Sequence, residues 1–248
     1  MDIANNIVVI IPTYNESKNI SILLDLLSNL KIDILIVDDN SPDGTGKIVQ
    51  KFSDNHKNIN LLERPEKLGL GSAYRDGFKW AIERDYKHCI EMDGDFSHTI
   101  LDLQNMIKFK DDFDLVIGSR YIEGGKTEGW SNGRKLLSMT ANNIAKIFLG
   151  IKVNDMTSGF RIYSKECLDD INYFNTTSNG YAFQIEMTYL SSLKNKTIKE
   201  VPITFYERNL GESKMSKAIV LEAIKFLIFS KFKRDKKWKV KFGPITFT

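Results

Sequence analysis

The chain has 248 residues, of which 42% are hydrophobic and only five are proline, so it is long enough to bury a sizeable core. Its net charge of +3 is unevenly distributed, because residues 231–248 carry six Lys and one Arg against one Asp and leave −3 for residues 1–230. The sequence has no run close to the roughly 18 apolar residues of a membrane-spanning helix, and its start lacks the positive region of a signal peptide. Cys89 and Cys167 are expected to be packing residues rather than a disulfide.

Short β-rich runs alternate with longer helical patterns in the first half of the chain. Strands are predicted over residues 7–11, 33–39, 58–63, 87–93 and 113–119, and helices over residues 18–30, 44–54, 71–85 and 100–110. This alternation predicts an α/β fold with a mostly parallel sheet flanked by helices. Ligands are expected outside the carboxyl ends of the strands, where the charged residues cluster.

The first predicted strand is followed directly by PTYNES. A dinucleotide-binding unit would place a glycine-rich turn here, and its absence argues against a nicotinamide or flavin enzyme. Asn15 or Ser17 is predicted to cap the next helix. Tyr14 and Glu16 would lie at the mouth of the sheet, where a base or ribose is within their reach.

The second and third strand ends carry the stretches IVDDNSPDGTG and KLGLGSAYRDG. A turn accounts for NSPDG, but it does not account for the two adjacent carboxylates before it. Asp39 is therefore a candidate to accept hydrogen bonds from a ribose or a base edge. The Gly-x-Gly of the third end is interpreted as a tight strand-to-helix turn rather than a phosphate cradle.

The fourth strand end carries MDGDFSH. Residues two apart in an extended chain point to the same side, so Asp93 and Asp95 are expected to converge, while Gly94 lets a ligand approach the backbone. Two carboxylates about 4 Å apart repel by about 4 kcal/mol at an effective dielectric constant near 20, which favours uptake of a proton or a divalent cation. Hard oxygen ligands favour Mg²⁺ or Mn²⁺, which keep positions open for substrate phosphates.

The C-terminal region combines an apolar helical pattern over residues 215–232 with a basic run that contains Trp238. This composition is typical of a segment that lies in the interface of an anionic bilayer. The alternative is a helix packed on the core with a solvated basic tail. Nucleic-acid binding is disfavoured because residues 1–230 are acidic overall and no base-reading module is present.

Seven short motifs occur in a fixed order between about residues 7 and 230: PTYNE, VDDNSPDGT, GLG, MDGDFSH, IGSRY, TSGFRIY and RNLGESK. Together they resemble the family 2 glycosyltransferases, and most closely the polyprenol-phosphate (dolichol-phosphate) mannose synthases. The resemblance implies a GT-A fold, a nucleotide-sugar donor, Mg²⁺ or Mn²⁺ as cofactor and a lipid-phosphate acceptor. It places a catalytic domain over residues 1–214, followed by an amphipathic helix and basic tail over residues 215–248.

The resemblance also implies roles for individual residues. Those that would hold the donor are Pro12, Tyr14, Glu16, Val37, Asp39, Asp93, Gly94, Asp95, Arg208 and Lys214. The metal ligands would be Asp93, Asp95 and Ser97, and the acceptor phosphate would meet Arg120, Arg134 and Ser138. Asp95 and Arg120 would be the catalytic residues. Most relatives have Ala at position 94 and many have Gln at position 97, so a water molecule is an alternative to Ser97 as a metal ligand.

The implied reaction is inverting transfer of mannose from GDP-mannose to a polyprenyl or dolichyl phosphate, which gives a β-linked product. The residues alone leave open a transferase that uses UDP-glucose or another UDP-sugar, and a catalytically silent membrane adaptor that binds nucleotide. The chain is expected at the cytoplasmic face of a membrane as a peripheral protein without a span of its own. A separate transmembrane partner subunit stays open as well.

Overall fold

The computed structural model describes residues 6–207, and strands and helices alternate along its first half as predicted. The five strands of this half are β1 (Ile7–Thr13), β2 (Asp33–Asp38), β3 (Ile59–Glu63), β4 (His88–Glu91) and β5 (Leu115–Ser119). The four helices that connect them are α1 (Ile20–Ser28), α2 (Thr45–Asn55), α3 (Leu70–Ile82) and α4 (Ile100–Ile107). Each predicted element is thus confirmed, with bounds that differ by a few residues.

The second half adds elements that local patterns did not predict. In chain order they are β6 (Lys126–Glu128), α5 (Asn132–Leu149), β7 (Arg161–Ser164), α6 (Lys165–Ile171), α7 (Gly180–Leu193), β8 (Ile198–Pro202) and β9 (Thr204–Tyr206). A single 3₁₀ turn lies between α6 and α7. Strands β6 and β9 pair in parallel as a small second sheet. In the chain, β6 follows β5 and β9 follows β8.

The main sheet has seven strands in the order β3-β2-β1-β4-β7-β5-β8. Among these strands only β7 runs antiparallel to its neighbours, β4 and β5. Its first residue, Arg161, therefore pairs with Glu91, the last residue of β4. The segment before β7 consequently reaches the same sheet edge as the carboxyl ends of β1, β2 and β4, which is the edge where ligands bind in open α/β sheets.

The core has two layers, one on each face of the sheet. Val8 and Ile10 of β1 pack on the side that contains Phe78 of α3, whereas Val9 and Ile11 pack on the side of α1 and α4. Burial on both faces explains the uninterrupted apolar run of β1, as is usual for parallel strands. Each fully buried Val or Ile side chain contributes about 1.5–3 kcal/mol, so this strand is a rigid support for the loop that follows it.

The loop after β1 differs from its sequence prediction. Helix α1 begins at Ile20 after Asn19, so neither Asn15 nor Ser17 caps it. Instead the Asn15 N–H donates to Ser41 Oγ at 3.0 Å, and the Ser17 N–H donates to a carboxylate oxygen of the turn after β2 at 2.9 Å. The two residues therefore join neighbouring loops, which a local capping rule does not anticipate.

Two further interpretations are settled by the fold. Gly69 has φ 98° and immediately precedes α3, so the Gly-x-Gly stretch is a strand-to-helix turn, as predicted. Arg161 of the TSGFRIY motif is interpreted as structural, because its fully buried guanidinium donates to the carbonyl oxygens of Ser158, Met156 and Gln184. None of the helices within residues 6–207 has the length and hydropathy to cross a bilayer. The domain boundary at residue 214 and the predicted amphipathic segment lie outside the described residues.

Candidate active site

Three loops at the carboxyl edge of the sheet each hold a non-glycine residue in the left-handed conformation. Asn15 after β1 has φ 61°, Asn40 after β2 has φ 52°, and Phe96 after β4 has φ 62°. Such residues are uncommon, and they concentrate at functional sites because the surrounding structure must hold them in place. The strained loops and the predicted site residues therefore occupy the same edge.

Asp38 fastens the first two of these loops to each other. Its Oδ1 accepts hydrogen bonds from Thr13 Oγ1 and Ser41 Oγ, both at 2.7 Å, and its Oδ2 accepts one from the Ser41 N–H at 2.9 Å. The carboxylate is buried, so these bonds satisfy a group that burial alone would destabilise. Of the two adjacent acids in VDDN, Asp38 is thus the structural one.

Asp39 belongs to a separate ion-pair cluster. Arg64 Nε donates to Asp39 Oδ1 at 2.6 Å, and Arg64 NH1 donates to Asp76 Oδ2 at 3.0 Å. Burial raises the pKa of Asp39, although the hydrogen bond and charge of Arg64 act in the opposite direction. Arg64 fixes the orientation of a carboxylate that is predicted to meet the nucleoside, and sequence patterns gave no signal for this arginine.

The other predicted nucleoside residues lie on the same two strands and their loops. Pro12 and Val37 are partners in the register of β1 and β2. Tyr14 follows in the loop after β1, and Lys67 Nζ lies 4.0 Å from the centroid of its ring. Glu16 lies in the same loop, two residues further on. The fold therefore brings together the residues predicted to bind the nucleoside.

The predicted strand ended at Asp93, but β4 ends at Glu91, so Asp93 and Asp95 both lie in the loop that follows it. The alternation of an extended strand therefore does not describe them. The Asp93 side chain is 32% exposed, whereas Asp95 is buried and its Oδ1 accepts a hydrogen bond from the Ser97 N–H at 3.1 Å. Between residues 6 and 207 no three His, Cys, Asp or Glu side chains are grouped to hold a metal, so these residue types supply at most two ligands here.

Gly94 separates the two aspartates and packs closely against β1. A Cβ atom at this position would lie 3.2 Å from Ile11 Cγ2. This separation is tighter than ordinary van der Waals contact, and it involves the branch methyl of a fully buried strand residue, which has little freedom to move. The glycine thus keeps the loop close to the sheet and leaves its backbone accessible to a ligand.

His98 is enclosed beside this loop. Its Nε2 lies 3.3 Å from Asp93 Oδ2, its ring stacks on Phe160 at 4.5 Å between centroids, and the edge of Phe205 covers it at 5.4 Å. Neither ring nitrogen has a hydrogen bond of good geometry to another described residue. The His98 side chain is only 1% exposed, so it is poorly placed to take a proton from an incoming acceptor.

Arg120 is held by a buried carboxylate that sequence reasoning missed. Asp155 Oδ2 accepts from the Arg120 N–H at 2.9 Å and from Nε at 2.7 Å, while Oδ1 accepts from NH2 at 2.7 Å. Arg120 NH2 also donates to Thr157 Oγ1 at 2.8 Å. Burial of Asp155 favours its neutral form, but the charge and hydrogen bonds of Arg120 outweigh this effect and lower its pKa below the ordinary value.

Glu200 of β8 fixes the loop that carries Asp155. Its Oε1 accepts from Ser119 Oγ at 2.7 Å and from the Asp155 N–H at 3.0 Å. Its Oε2 accepts from both the backbone N–H and the side-chain amide of Asn154 at 2.9 Å. The orientation of Arg120 therefore depends on residues from β5, β8 and the loop before β7, which only the folded chain brings together.

Arg134, in the first turn of α5, lies in the same region as Arg120. Its NH1 forms an ion pair with Glu207 Oε1 at 2.5 Å, and its guanidinium carbon lies 4.2 Å from the centroid of the Trp130 ring. The guanidinium carbon of Arg120 lies 5.5 Å from the same ring. One aromatic side chain thus contacts both predicted phosphate-binding arginines, which is a favourable cation–π arrangement.

Ser138 joins this group through a tyrosine. Tyr121 donates its hydroxyl proton to Ser138 Oγ at 2.7 Å, and its ring centroid lies 5.1 Å from the guanidinium carbon of Arg120. The three residues predicted to meet the acceptor phosphate are therefore clustered. Tyr121 follows Arg120 directly in IGSRY, and this adjacency was the available sequence signal for it. Arg208 and Lys214, the other two predicted donor-binding residues, lie outside the described residues.

The mostly parallel sheet, the paired aspartates after a central strand, and the arginines after β5 and in the first turn of α5 agree with a glycosyltransferase of the GT-A fold. The chain belongs to glycosyl transferase family 2, whose sequence profile matches residues 8–171. Its relatives include the undecaprenyl-phosphate mannosyltransferase of Micrococcus luteus, which is 42% identical over 220 residues that cover 88% of this chain and 90% of that protein. The polyprenol monophosphomannose synthase of Mycolicibacterium smegmatis is 40% identical over 220 residues, 87% of this chain and 83% of that protein.

Solved structures agree on the fold. The mannosyltransferase PcManGT of Pyrobaculum calidifontis, in complex with GDP-Man and Mn²⁺, superposes with a TM-score of 0.59 at 16% identity and covers 99% of this chain and 68% of that one. The S. aureus protein TarS, residues 1–349 with UDP, gives a TM-score of 0.61 at 19% identity, over 95% of this chain and 68% of that one. At these identities the likeness concerns the GT-A architecture alone.

Proposed function

We propose that the protein transfers mannose from GDP-mannose to a polyprenyl phosphate and releases a β-linked polyprenyl-phosphate mannose. The observation that carries this proposal is the cluster of Arg120, Arg134 and Ser138 at one end of the carboxyl edge, separate from the predicted nucleoside site around Asp39. A donor nucleotide and an anionic acceptor thus have different groups of side chains to bind. The names of the two curated relatives support mannose and a polyprenyl phosphate as the substrates.

The residues of the loop after β4 fit a divalent cation. Asp93 and Asp95 offer hard carboxylate oxygens, and Asp95 is a buried acid whose charge favours a positive partner. Magnesium or manganese would be held by these two residues, with Ser97 or water and the donor phosphates as further ligands. When bound, the cation would neutralise charge that develops on the departing nucleoside diphosphate.

The acceptor needs no strong base in this reaction. A lipid monophosphate has a second pKa of about 6, so at neutral pH it is already largely an anionic nucleophile. This agrees with the enclosed position of His98, the histidine closest to the paired aspartates in the sequence. The contribution of the protein is alignment: Arg120 and Arg134 orient the phosphate for in-line attack at the anomeric carbon, and a single displacement inverts its configuration.

Asp155 has a defined part in that alignment. It is fully buried and holds two nitrogen atoms of the Arg120 guanidinium, so the arginine does not have to be ordered when the acceptor arrives. Preorganised cations stabilise developing charge better than mobile ones, because they need not reorganise during the reaction. Arg120 is therefore proposed as a catalytic residue and Asp155 as a positioning residue.

The polyprenyl chain of the acceptor requires a membrane, so the enzyme is proposed to act as a peripheral protein at the cytoplasmic face of one. The predicted amphipathic segment at residues 215–232 and the basic tail would contribute to this association. A transmembrane partner subunit is compatible with the same arrangement.

A panel of donors tests the reaction most simply. The purified protein is given polyprenyl phosphate, Mn²⁺ and radiolabelled GDP-mannose, UDP-glucose or another UDP-sugar, and label in the organic phase is counted. The proposal predicts label from GDP-mannose and loss of transfer in the Asp95→Ala variant with its fold intact. Label only from a UDP-sugar would establish the rival donor, and no label from any donor would favour a silent nucleotide-binding adaptor.

A further inference from the structure

Phe205, in the middle of the short strand β9, contacts two parts of the candidate site that are far apart in the sequence. Its ring centroid lies 5.4 Å from the ring centroids of both His98 and Trp130. The guanidinium carbon of Arg120 lies 5.4 Å from the same Phe205 centroid. One half-buried side chain thus contacts the loop of the paired aspartates and the predicted acceptor site at once.

On one side, Phe205 encloses the imidazole of His98. The imidazole stacks on Phe160 with 4.5 Å between centroids, and the Phe205 ring meets it at an angle of 78°. Stacked and edge-to-face pairs at such separations are favourable for aromatic rings. His98 Nε2 lies 3.3 Å from Asp93 Oδ2. Two aromatic rings therefore hold the imidazole against a carboxylate that is predicted to bind the cation.

On the other side, Phe205 supports the arginines of the predicted acceptor site. Its ring meets the indole of Trp130 at an angle of 70°. The centroid of Trp130 in turn lies 5.5 Å from the guanidinium carbon of Arg120 and 4.2 Å from that of Arg134. A cation beside an aromatic ring is stabilised most where water is excluded, and Arg120 is only 6% exposed. Removal of the Phe205 ring would therefore loosen Arg120 directly and through Trp130.

The backbone next to Phe205 is anchored to both parts of the site. The Tyr206 N–H donates to the carbonyl oxygen of Ser97 at 3.1 Å, and the Glu207 N–H donates to the carbonyl oxygen of Glu128 at 2.9 Å. Ser97 belongs to the loop after β4, whereas Glu128 is the last residue of β6. These hydrogen bonds fix the position of the Phe205 ring between the metal loop and the acceptor segment.

We propose that Phe205 is a positioning residue that supports the cation site and the acceptor site together. It holds Asp93 through His98, and it holds Arg120 both directly and through Trp130. The ligands assigned to Asp93 and Arg120 rest on the proposed function. In a displacement that depends on the alignment of two anionic substrates, a shared support keeps the donor diphosphate and the acceptor phosphate in a fixed relation. The alternative is a residue that only packs the small sheet against the rest of the fold.

Replacing Phe205 by Leu removes the ring and keeps an apolar side chain. In the full-length protein, calorimetric binding of GDP with Mn²⁺ should weaken by about threefold to tenfold, because His98 loses one of the rings that enclose it. Binding of a soluble short-chain polyprenyl phosphate should weaken by about the same factor, because Arg120 loses a cation–π contact. Weakening of only one of these ligands, or of neither, would overturn the proposal.

Two other variants are the matched controls. Tyr206→Leu changes the next residue of β9, whose side chain is 40% exposed and points to the opposite side of the strand, so both affinities should stay within about twofold. Trp130→Leu removes an aromatic contact on the acceptor side. It should weaken binding of the polyprenyl phosphate and leave binding of GDP with Mn²⁺ within about twofold. Equal weakening of both ligands in every variant would indicate general loosening of the fold and would refute a specific role of Phe205.

Two further substitutions of Phe205 separate the ring from the fold. Phe205→Tyr retains the ring and should bind both ligands within about twofold of the unmodified protein. A loss equal to that of the leucine variant would show that the ring contacts do not carry the effect. Should Phe205→Leu fail to fold, Phe205→Met offers an unbranched apolar side chain that adapts to the available space, and the same weakening of both ligands is required of it.

A transfer assay separates failure of this inference from failure of the proposed function. If the unmodified protein binds both ligands but transfers no mannose, the proposed reaction fails, and the two affinities still decide the role of Phe205. Failure of the unmodified protein to bind GDP with Mn²⁺, or to bind the polyprenyl phosphate, would refute both proposals.

Discussion

Replacing Asp155 by Asn isolates the contribution of the buried pair that holds Arg120. Asp155 is fully buried and Arg120 is 6% exposed. The carboxylate accepts three hydrogen bonds from Arg120, two of them from the guanidinium at 2.7 Å. An asparagine of similar size keeps one acceptor oxygen, but it removes the negative charge. Its amide nitrogen is also a donor and would face a guanidinium nitrogen of Arg120, which is a donor as well. The variant therefore leaves a buried cation without its partner.

The expected loss of stability follows from this geometry. Breaking a buried ion pair by removing one partner costs about 3–5 kcal/mol, because the remaining charge is uncompensated in a region of low dielectric. In a domain of this size each kcal/mol corresponds to about 2–4 °C, so the melting temperature of Asp155→Asn should fall by about 10 °C. The matched control is Asp169→Asn, whose carboxylate pairs with Lys165 at 2.9 Å but is 49% exposed. That change should cost at most about 0.5 kcal/mol.

Urea unfolding and steady-state kinetics provide the assay. At a temperature where Asp155→Asn is still folded, KM for polyprenyl phosphate should rise while KM for the proposed donor, GDP-mannose, stays near its original value, because Arg120 is proposed to bind the acceptor. A purely structural effect would change both substrates alike. In the double variant with Arg120→Met the stability loss should be smaller than the sum of the single losses, since neither charge is then left alone. A stability change of Asp155→Asn below about 1 kcal/mol would refute the reasoning.

Three further changes have defined outcomes. Burial raises the pKa of Glu91 to about 8, against the opposing charge of Arg161. The folded state then holds a proton that the unfolded chain releases, so the contribution of Glu91 to stability is fully present below its ordinary pKa and is lost as pH rises towards about 8. Glu91→Gln should therefore reduce the fall of unfolding free energy with pH by up to about 1.4 kcal/mol per pH unit between about pH 5.5 and pH 7.5, as measured by urea unfolding. An unchanged slope would contradict this. Gly94→Ala should destabilise the fold by about 1–3 kcal/mol, because the added methyl lies 3.2 Å from Cγ2 of the fully buried Ile11. A variant as stable as the unmodified protein would show that this part of the core yields without cost. Glu200→Gln should raise KM for the acceptor and not for the donor, because the loop of Asp155 loses an acceptor for its N–H groups; equal changes for both substrates would argue against positioning.

The first half of the fold was predictable because its signals are local. Apolar runs such as Ile7–Thr13 and the helical patterns between them are encoded within a few residues, and parallel order follows from their alternation. The antiparallel strand β7 was not predicted, because its pairing with β4 and β5 depends on contacts between distant parts of the chain. Its four residues contain Arg161, whose burial no periodic pattern indicates.

The candidate site shows the same division. Motif order identified Asp39, Asp95 and Arg120, and the structure places all three at the carboxyl edge of the sheet. It did not identify the partners that hold them: Arg64 is 25 residues from Asp39 and Asp155 is 35 residues from Arg120. The motifs therefore predicted groups that the fold brings to one edge of the sheet, whereas only the fold revealed which buried charges orient them.

Asp93 and Asp95 are proposed to hold a divalent cation, which would neutralise the charge of the donor phosphates. Calorimetric titration of GDP into the full-length protein, with and without Mn²⁺, tests it most directly. We expect binding to weaken by about tenfold or more when Mn²⁺ is withheld, and Asp95→Asn to abolish this dependence on the metal. GDP affinity that is equally high with and without Mn²⁺ or Mg²⁺ would contradict the claim.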